Sequence, residues 1–97
     1  MADVFDIGDE FRISIQFRDA NGALSDPSTV KLTLRSVTGI IAVWDYADGS
    51  LTKPSVGNYY RDYTGQLSGD YWGRWESVGN PTLAEEFHFR IRESKVL

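Results

Sequence analysis

The sequence has 97 residues, 41% of them hydrophobic and none of them cysteine, and its 14 acidic and 10 basic side chains give a formal charge of −4. That is enough chain for one compact core and too little for two, and it excludes a disulfide framework and any cysteine-based zinc or redox site. A net negative charge runs against the phosphate neutralisation that nucleic-acid binding requires, and the apolar runs are too short to cross a bilayer, so neither nucleic acid nor a membrane is an expected partner.

The chain opens on Met1-Ala2-Asp3-Val4-Phe5-Asp6, without the basic start and apolar stretch of a signal peptide, which points to synthesis in the cytoplasm. Val4-Phe5 is a candidate short strand. Asp3, Asp6, Asp9 and Glu10 crowd the start while Arg90, Arg92 and Lys95 crowd the end, a pattern that suits solubility and pairing between the chain ends. Phe11 to Arg18 alternates apolar and polar without a break, placing Phe11, Ile13, Ile15 and Phe17 on one face of a strand. Asp19-Ala20-Asn21-Gly22 then supplies turn chemistry. These acids lack the tight, fixed spacing of a calcium loop.

Past Asp26-Pro27-Ser28, where proline rules out a central ladder position, Val30 to Val37 alternates again with Val30, Leu32 and Leu34 facing the core. Ile40 to Tyr46 is β-branched and aromatic and is bounded by Gly39 and the turn Asp48-Gly49, so it is expected to pair in a hairpin with the preceding strand or to run close to it. Its inward face stays open, because Ile41/Val43 and Ile40/Ala42/Trp44 are both apolar sets. Gly57 opens a strand over Asn58–Thr64, and Gly65 to Gly69 returns the chain to Tyr71-Trp72-Gly73-Arg74-Trp75. A loop with Gly79 and Pro81 leads to the last strand over residues 83–93. Six strands and a candidate seventh, about ten residues apart, predict a two-sheet antiparallel sandwich.

Within the Tyr71–Trp75 strand, Tyr71 and Trp75 share a core face, and Tyr71 is placed to send its hydroxyl to an upstream backbone group, as in a tyrosine corner. Trp72 points outward beside Arg74 and Glu76, which makes these three candidate contact residues. Trp44, Tyr46 and Tyr60 are further aromatic candidates. His88, the one histidine, alternates with Phe87 and Phe89 and so projects from the outer face. A single histidine does not build a metal site. Glu85 and Glu86 are adjacent on a strand, point to opposite faces and do not converge on one bond. The sequence therefore predicts no catalytic residue, no metal site and no cofactor.

The order Asp6-x-Gly8-Asp9, alternating strand, Asp26-Pro27-Ser28-Thr29-Val30, Gly57-Asn58-Tyr59, Gly69-Asp70-Tyr71, Arg74-Trp75-Glu76 and Glu85-Glu86-Phe87 resembles a group of small immunoglobulin-like proteins encoded among the structural genes of tailed bacteriophages and prophages. The resemblance runs from Asp6 to about Ser94. It implies an all-β fold, a single immunoglobulin-like antiparallel β-sandwich of about seven strands. It also implies a non-enzymatic virion role, as capsid decoration or a head–tail component, assembled in the host cytoplasm. The expected partners are capsid or connector proteins, with a homo-oligomer as a further possibility. Gly73 departs from the group, whose strands commonly carry a bulky inward residue there, and suggests a bulge or a close backbone approach. The alternative function is a free-standing carbohydrate- or surface-binding module, which requires two or three coplanar exposed aromatics drawn from Trp44, Tyr46, Tyr60 and Trp72. A soluble regulator is a third reading that no residue favours.

Overall fold

A computed structural model describes residues 3–93, which form eight strands in two facing sheets. These are β1 (Asp3–Asp6), β2 (Glu10–Gln16), β3 (Thr29–Ser36), β4 (Gly39–Asp45), β5 (Thr52–Ser55), β6 (Asn58–Thr64), β7 (Gly69–Val78) and β8 (Leu83–Arg92). One sheet has the order β1-β8-β7-β3-β4 and the other β2-β6-β5. Among the described residues β1 runs parallel to β8, and every other named pairing is antiparallel. The architecture is the all-β sandwich that the alternation predicts. The added element is β5, whose Thr52-Lys53-Pro54-Ser55 has no apolar alternation. It is held as a strand by pairing with β6 and by Leu51, which is buried just ahead of it.

The core follows the period-two pattern. Ile13 and Phe17 point in from β2 and the residue just past it, and Phe11 and Ile15 are half-buried on the same face. Val30, Leu32 and Leu34 of β3 are fully buried, as are Trp75 of β7 and Ile91 of β8. Burying a large apolar side chain contributes about 1.5–3 kcal/mol, so these rows outweigh every surface ion pair. The ambiguous face of β4 is resolved by a register shift at Leu34/Arg35, which leaves Ile41 unopposed. Ala42 and Trp44 turn inward, while Ile40, Ile41 and Val43 are exposed.

Gly73 is no bulge. The ladders run through it on both sides, to Leu34 on β3 and to Phe87 on β8. The Phe87 ring lies directly over its α-carbon, and a methyl group there would coincide with the ring tip. The space that a bulky residue would fill is filled from the neighbouring strand.

Local polar groups behave as the turn residues require. Asp19 Oδ1 accepts hydrogen bonds from the N–H groups of Asn21 (2.9 Å) and Ala23 (3.0 Å), closing the turn before residue 24. At the chain ends Arg92 pairs with Asp6, and Asp9 Oδ2 accepts from the Asp6 N–H at 3.0 Å. The side chains of Asp3 and Lys95 lie outside the described residues. The Tyr71 hydroxyl donates to the Leu67 carbonyl at 2.6 Å, which is the tyrosine-corner contact. Tyr71→Phe should lower unfolding stability by about 1 kcal/mol with the fold intact. Urea unfolding checks this, and an unchanged midpoint would mean that the hydroxyl contributes nothing.

Candidate functional site

The outer face of the five-stranded sheet brings together three of the six candidate contact residues. Even-numbered residues of β7 and β8 point outward, and registry with β3 and β4 arranges them in rows. One row reads Ile40, Arg35, Trp72, His88; the next reads Val43, Thr33, Arg74, Glu86; a third reads Asp45, Lys31, Glu76, Ala84. Arg74 Nη1 lies 3.2 Å from Glu86 Oε2 and Arg74 Nε 3.5 Å from Glu76 Oε1, while Lys31 Nζ reaches the same Glu76 oxygen at 3.8 Å. Exposed pairs of this kind add little stability. Their effect is to fix a pattern of alternating charge around the indole.

Trp72 is 43% exposed, so it neither belongs to the core nor swings freely. The His88 ring lies against it, 5.5 Å between centroids at 42°, and His88 Nε2 is 3.1 Å from Asp70 Oδ1. An aromatic held on one side and bare on the other loses little side-chain freedom on binding. One strand further out, beyond β3, runs β4, whose Ile40, Ile41 and Val43 are exposed and whose far edge has no strand partner among the described residues. An unguarded β-branched edge is a surface for pairing with another chain.

The other three candidates lie elsewhere. Tyr60 is on the outer face of the three-stranded sheet, beneath the Arg12 guanidinium at 3.7 Å, and Arg12 is itself paired with Asp62 at 2.9 Å. That guanidinium holds the Asp62 carboxyl below its ordinary value. Tyr46 follows β4 and meets Tyr59 edge-on at 5.2 Å. Trp44 turns inward, edge-on to Tyr63 at 6.0 Å and 4.9 Å from the Arg61 guanidinium. Trp72 and Tyr60 thus lie on the outer faces of opposite sheets, while Trp44 and Tyr46 pack against aromatics of β6, so the four do not share one face. Glu85 and Glu86 diverge as expected, Glu86 outward to Arg74 and Glu85 to the inner side. Among the described residues no three His, Cys, Asp or Glu side chains are grouped to hold a metal ion.

Two polar arrangements were not read from the sequence. Arg61 points between the sheets, donating from Nη1 to the Ser50 carbonyl at 3.0 Å, with its Nε buried and without a partner among the described residues. Strict alternation from Tyr59 to Tyr63 is the signal that would have placed it there. Asp26, just ahead of β3, is a hub. Its Oδ1 accepts from the Gly57 N–H at 2.8 Å and the Tyr59 hydroxyl at 3.2 Å, and its Oδ2 from Lys53 Nζ at 2.9 Å. The Gly57 N–H first, and Lys53 next, hold the Asp26 carboxyl below its usual value.

Similar architecture recurs in solved structures. The Lin-41 filamin domain superposes with a TM-score of 0.69 over 92% of this chain and 82% of its own, at 23% identity. A protein from Bacteroides vulgatus described as a glycoside hydrolase gives 0.64 over 97% of this chain at 12% identity, and this chain spans only 17% of that protein. No protein-family model and no curated protein matches the sequence. At these identities the likeness establishes the fold, an immunoglobulin-like β-sandwich, and nothing of the activity.

Proposed function

We propose that this chain is a non-enzymatic interaction module that docks on a protein surface through the outer face of its five-stranded sheet. The observation that carries this reading is Trp72, an exposed indole braced by His88 within a lattice of alternating charge, on the same sheet face as the exposed Ile40 and Val43 of the outer strand β4. A central aromatic ringed by polar side chains is the usual layout of an interface anchor. For its setting we propose the virion of a tailed phage, as capsid decoration or at the head–tail region. That part rests on the order of sequence motifs running from Gly8-Asp9 to Glu85-Glu86-Phe87. On a repeating lattice even weak single contacts add up to firm attachment.

Trp72→Ala should reduce attachment to particles at least tenfold, as expected for an interface anchor, while leaving the unfolding midpoint nearly unchanged, since no core residue is touched. Mass spectrometry of purified virions reads the copy number relative to the major capsid protein. A ratio near one indicates decoration, and about a dozen copies indicates a connector or tail position. Absence from the particle overturns the virion setting, and an unaltered attachment of Trp72→Ala overturns the docking face.

A further inference from the structure

A second surface lies on the opposite flank of the sandwich from β4. Among the described residues β2 pairs only with β6, so the backbone of Glu10–Gln16 is unpaired along its other side. Among the described residues β8 pairs with β1 only over Phe89–Arg92, which leaves Leu83–His88 without a described partner on that same edge. Between these two open edges lies a groove of about 750 Å3. Its floor is apolar, with Phe11, Ile13 and Ile15 from β2, Trp75 from β7, and Phe87 and Phe89 from β8.

Two polar features in this groove lack partners. Trp75, 1% exposed, has an indole N–H with no acceptor among the described residues, and such a buried donor is costly to leave unpaired. Glu85 lines the groove from the inner side of β8 and has no ion-pair partner among the described residues.

A ligand for this site must satisfy two rows of backbone donors and acceptors and, at alternate positions, cover an apolar floor. An extended polypeptide does both at once. β1 already shows the geometry, because it runs parallel on the same edge of β8 from Phe89 onward, and a strand in line with it would run along Leu83–His88. Six residues of strand span about 20 Å. We propose that this groove takes an extended strand from a partner polypeptide, parallel to β8 and antiparallel to β2, with apolar residues at alternate positions and a lysine or arginine opposite Glu85. Unpaired Glu85 gives the charge preference, and the open edges give the backbone pairing. This inference is independent of the Trp72 face.

The probes are two capped nonapeptides that alternate threonine and valine, one with lysine and the other with glutamate at a central valine position. Amide hydrogen exchange and NMR shifts of the whole chain are the readouts. The lysine peptide should slow exchange of the unpaired β2 amides about tenfold or more, and it should bind about threefold more tightly than the glutamate peptide, the scale of an exposed ion pair. In Glu85→Lys, an exposed substitution that spares the core, the order of the two peptides should reverse. Trp72→Ala should bind both peptides unchanged, which separates this test from that of the docking face. Protection by neither peptide, protection confined to β4, or an unreversed order in Glu85→Lys would overturn the proposal. So would β2 protection that grows with protein concentration alone, since a second copy would then fill the groove.

Discussion

Gly73→Ala should lower unfolding stability by about 1–3 kcal/mol, the range for forcing an extra group into a filled core. The position is in regular extended ladder, so the cause is not backbone strain. The new methyl would occupy the place of the Phe87 ring tip, and the ring would have to leave its seat over the sheet. A two-residue cycle separates this from any general weakness of the strand. In a Phe87→Ala background the methyl meets no ring, and Gly73→Ala should then be neutral or slightly stabilising, because alanine restricts the unfolded chain. Urea unfolding of the four proteins gives the coupling, expected at 1 kcal/mol or more. Additive costs would show that Gly73 and Phe87 do not share one space.

Asp26→Ala should cost about 2 kcal/mol, and a chain of this size would then melt roughly 10 °C lower. The loss has a definite origin. The Gly57 N–H, in a backbone that turns through φ +79° and packs against the Phe17 carbonyl, would lose its acceptor, as would the nearly buried Tyr59 hydroxyl. Asp26→Asn, which keeps one oxygen acceptor, should cost less. The pH dependence follows from the same contacts. Folding lowers the Asp26 carboxyl below its value in the unfolded chain, chiefly through the Gly57 N–H. Its contribution is therefore whole above about pH 4 and is lost as pH falls through the lowered value. At the alkaline end, burial, reinforced by Asp26, pushes the Tyr59 hydroxyl up to about 12. The neutral phenol's contribution is whole below about pH 10 and is lost as pH rises through that raised value. Calorimetry across pH should find a shallower acid limb in Asp26→Asn and a shallower alkaline limb in Tyr59→Phe. Limbs unchanged from the parent chain would show that neither group is linked to folding.

The two proposed surfaces differ in kind. The Trp72 face offers side chains already arranged for contact, whereas the β2/β8 groove offers backbone and an apolar floor awaiting a strand. One would recognise the shape and charge of a folded partner, and the other the alternation of an extended one. They meet at His88, which braces Trp72 and also lines the groove.

Alternation made most of the strands legible before any tertiary contact was known. Phe11/Ile13/Ile15/Phe17 and Val30/Leu32/Leu34 declare a buried side by themselves, since side-chain direction in a strand reverses at each residue. The same rule placed Trp72 outside and Trp75 inside, and it separated Glu85 from Glu86. It failed where its premise failed. β4 is apolar on both faces and carries an unopposed Ile41, so only pairing with β3 could turn Trp44 inward onto Arg61. β5 has no alternation at all and exists because β6 had an edge to offer. Gly73 reads as a gap until Phe87, fourteen residues later, is laid across it.

What the sequence by itself determined was therefore the local part: an all-β chain, its inward and outward faces, its turns, and an outward tryptophan beside charged neighbours. What only the tertiary structure decided was adjacency. Asp26 meets Gly57 and Tyr59 from more than thirty residues away, β2 finds β6 rather than β3, and the open edges of β2 and β8 come to face each other. Side-chain periodicity records which way a residue points, but hydrogen bonds between strands depend on which strand arrives beside it, and that choice is made by the packing of the whole sandwich.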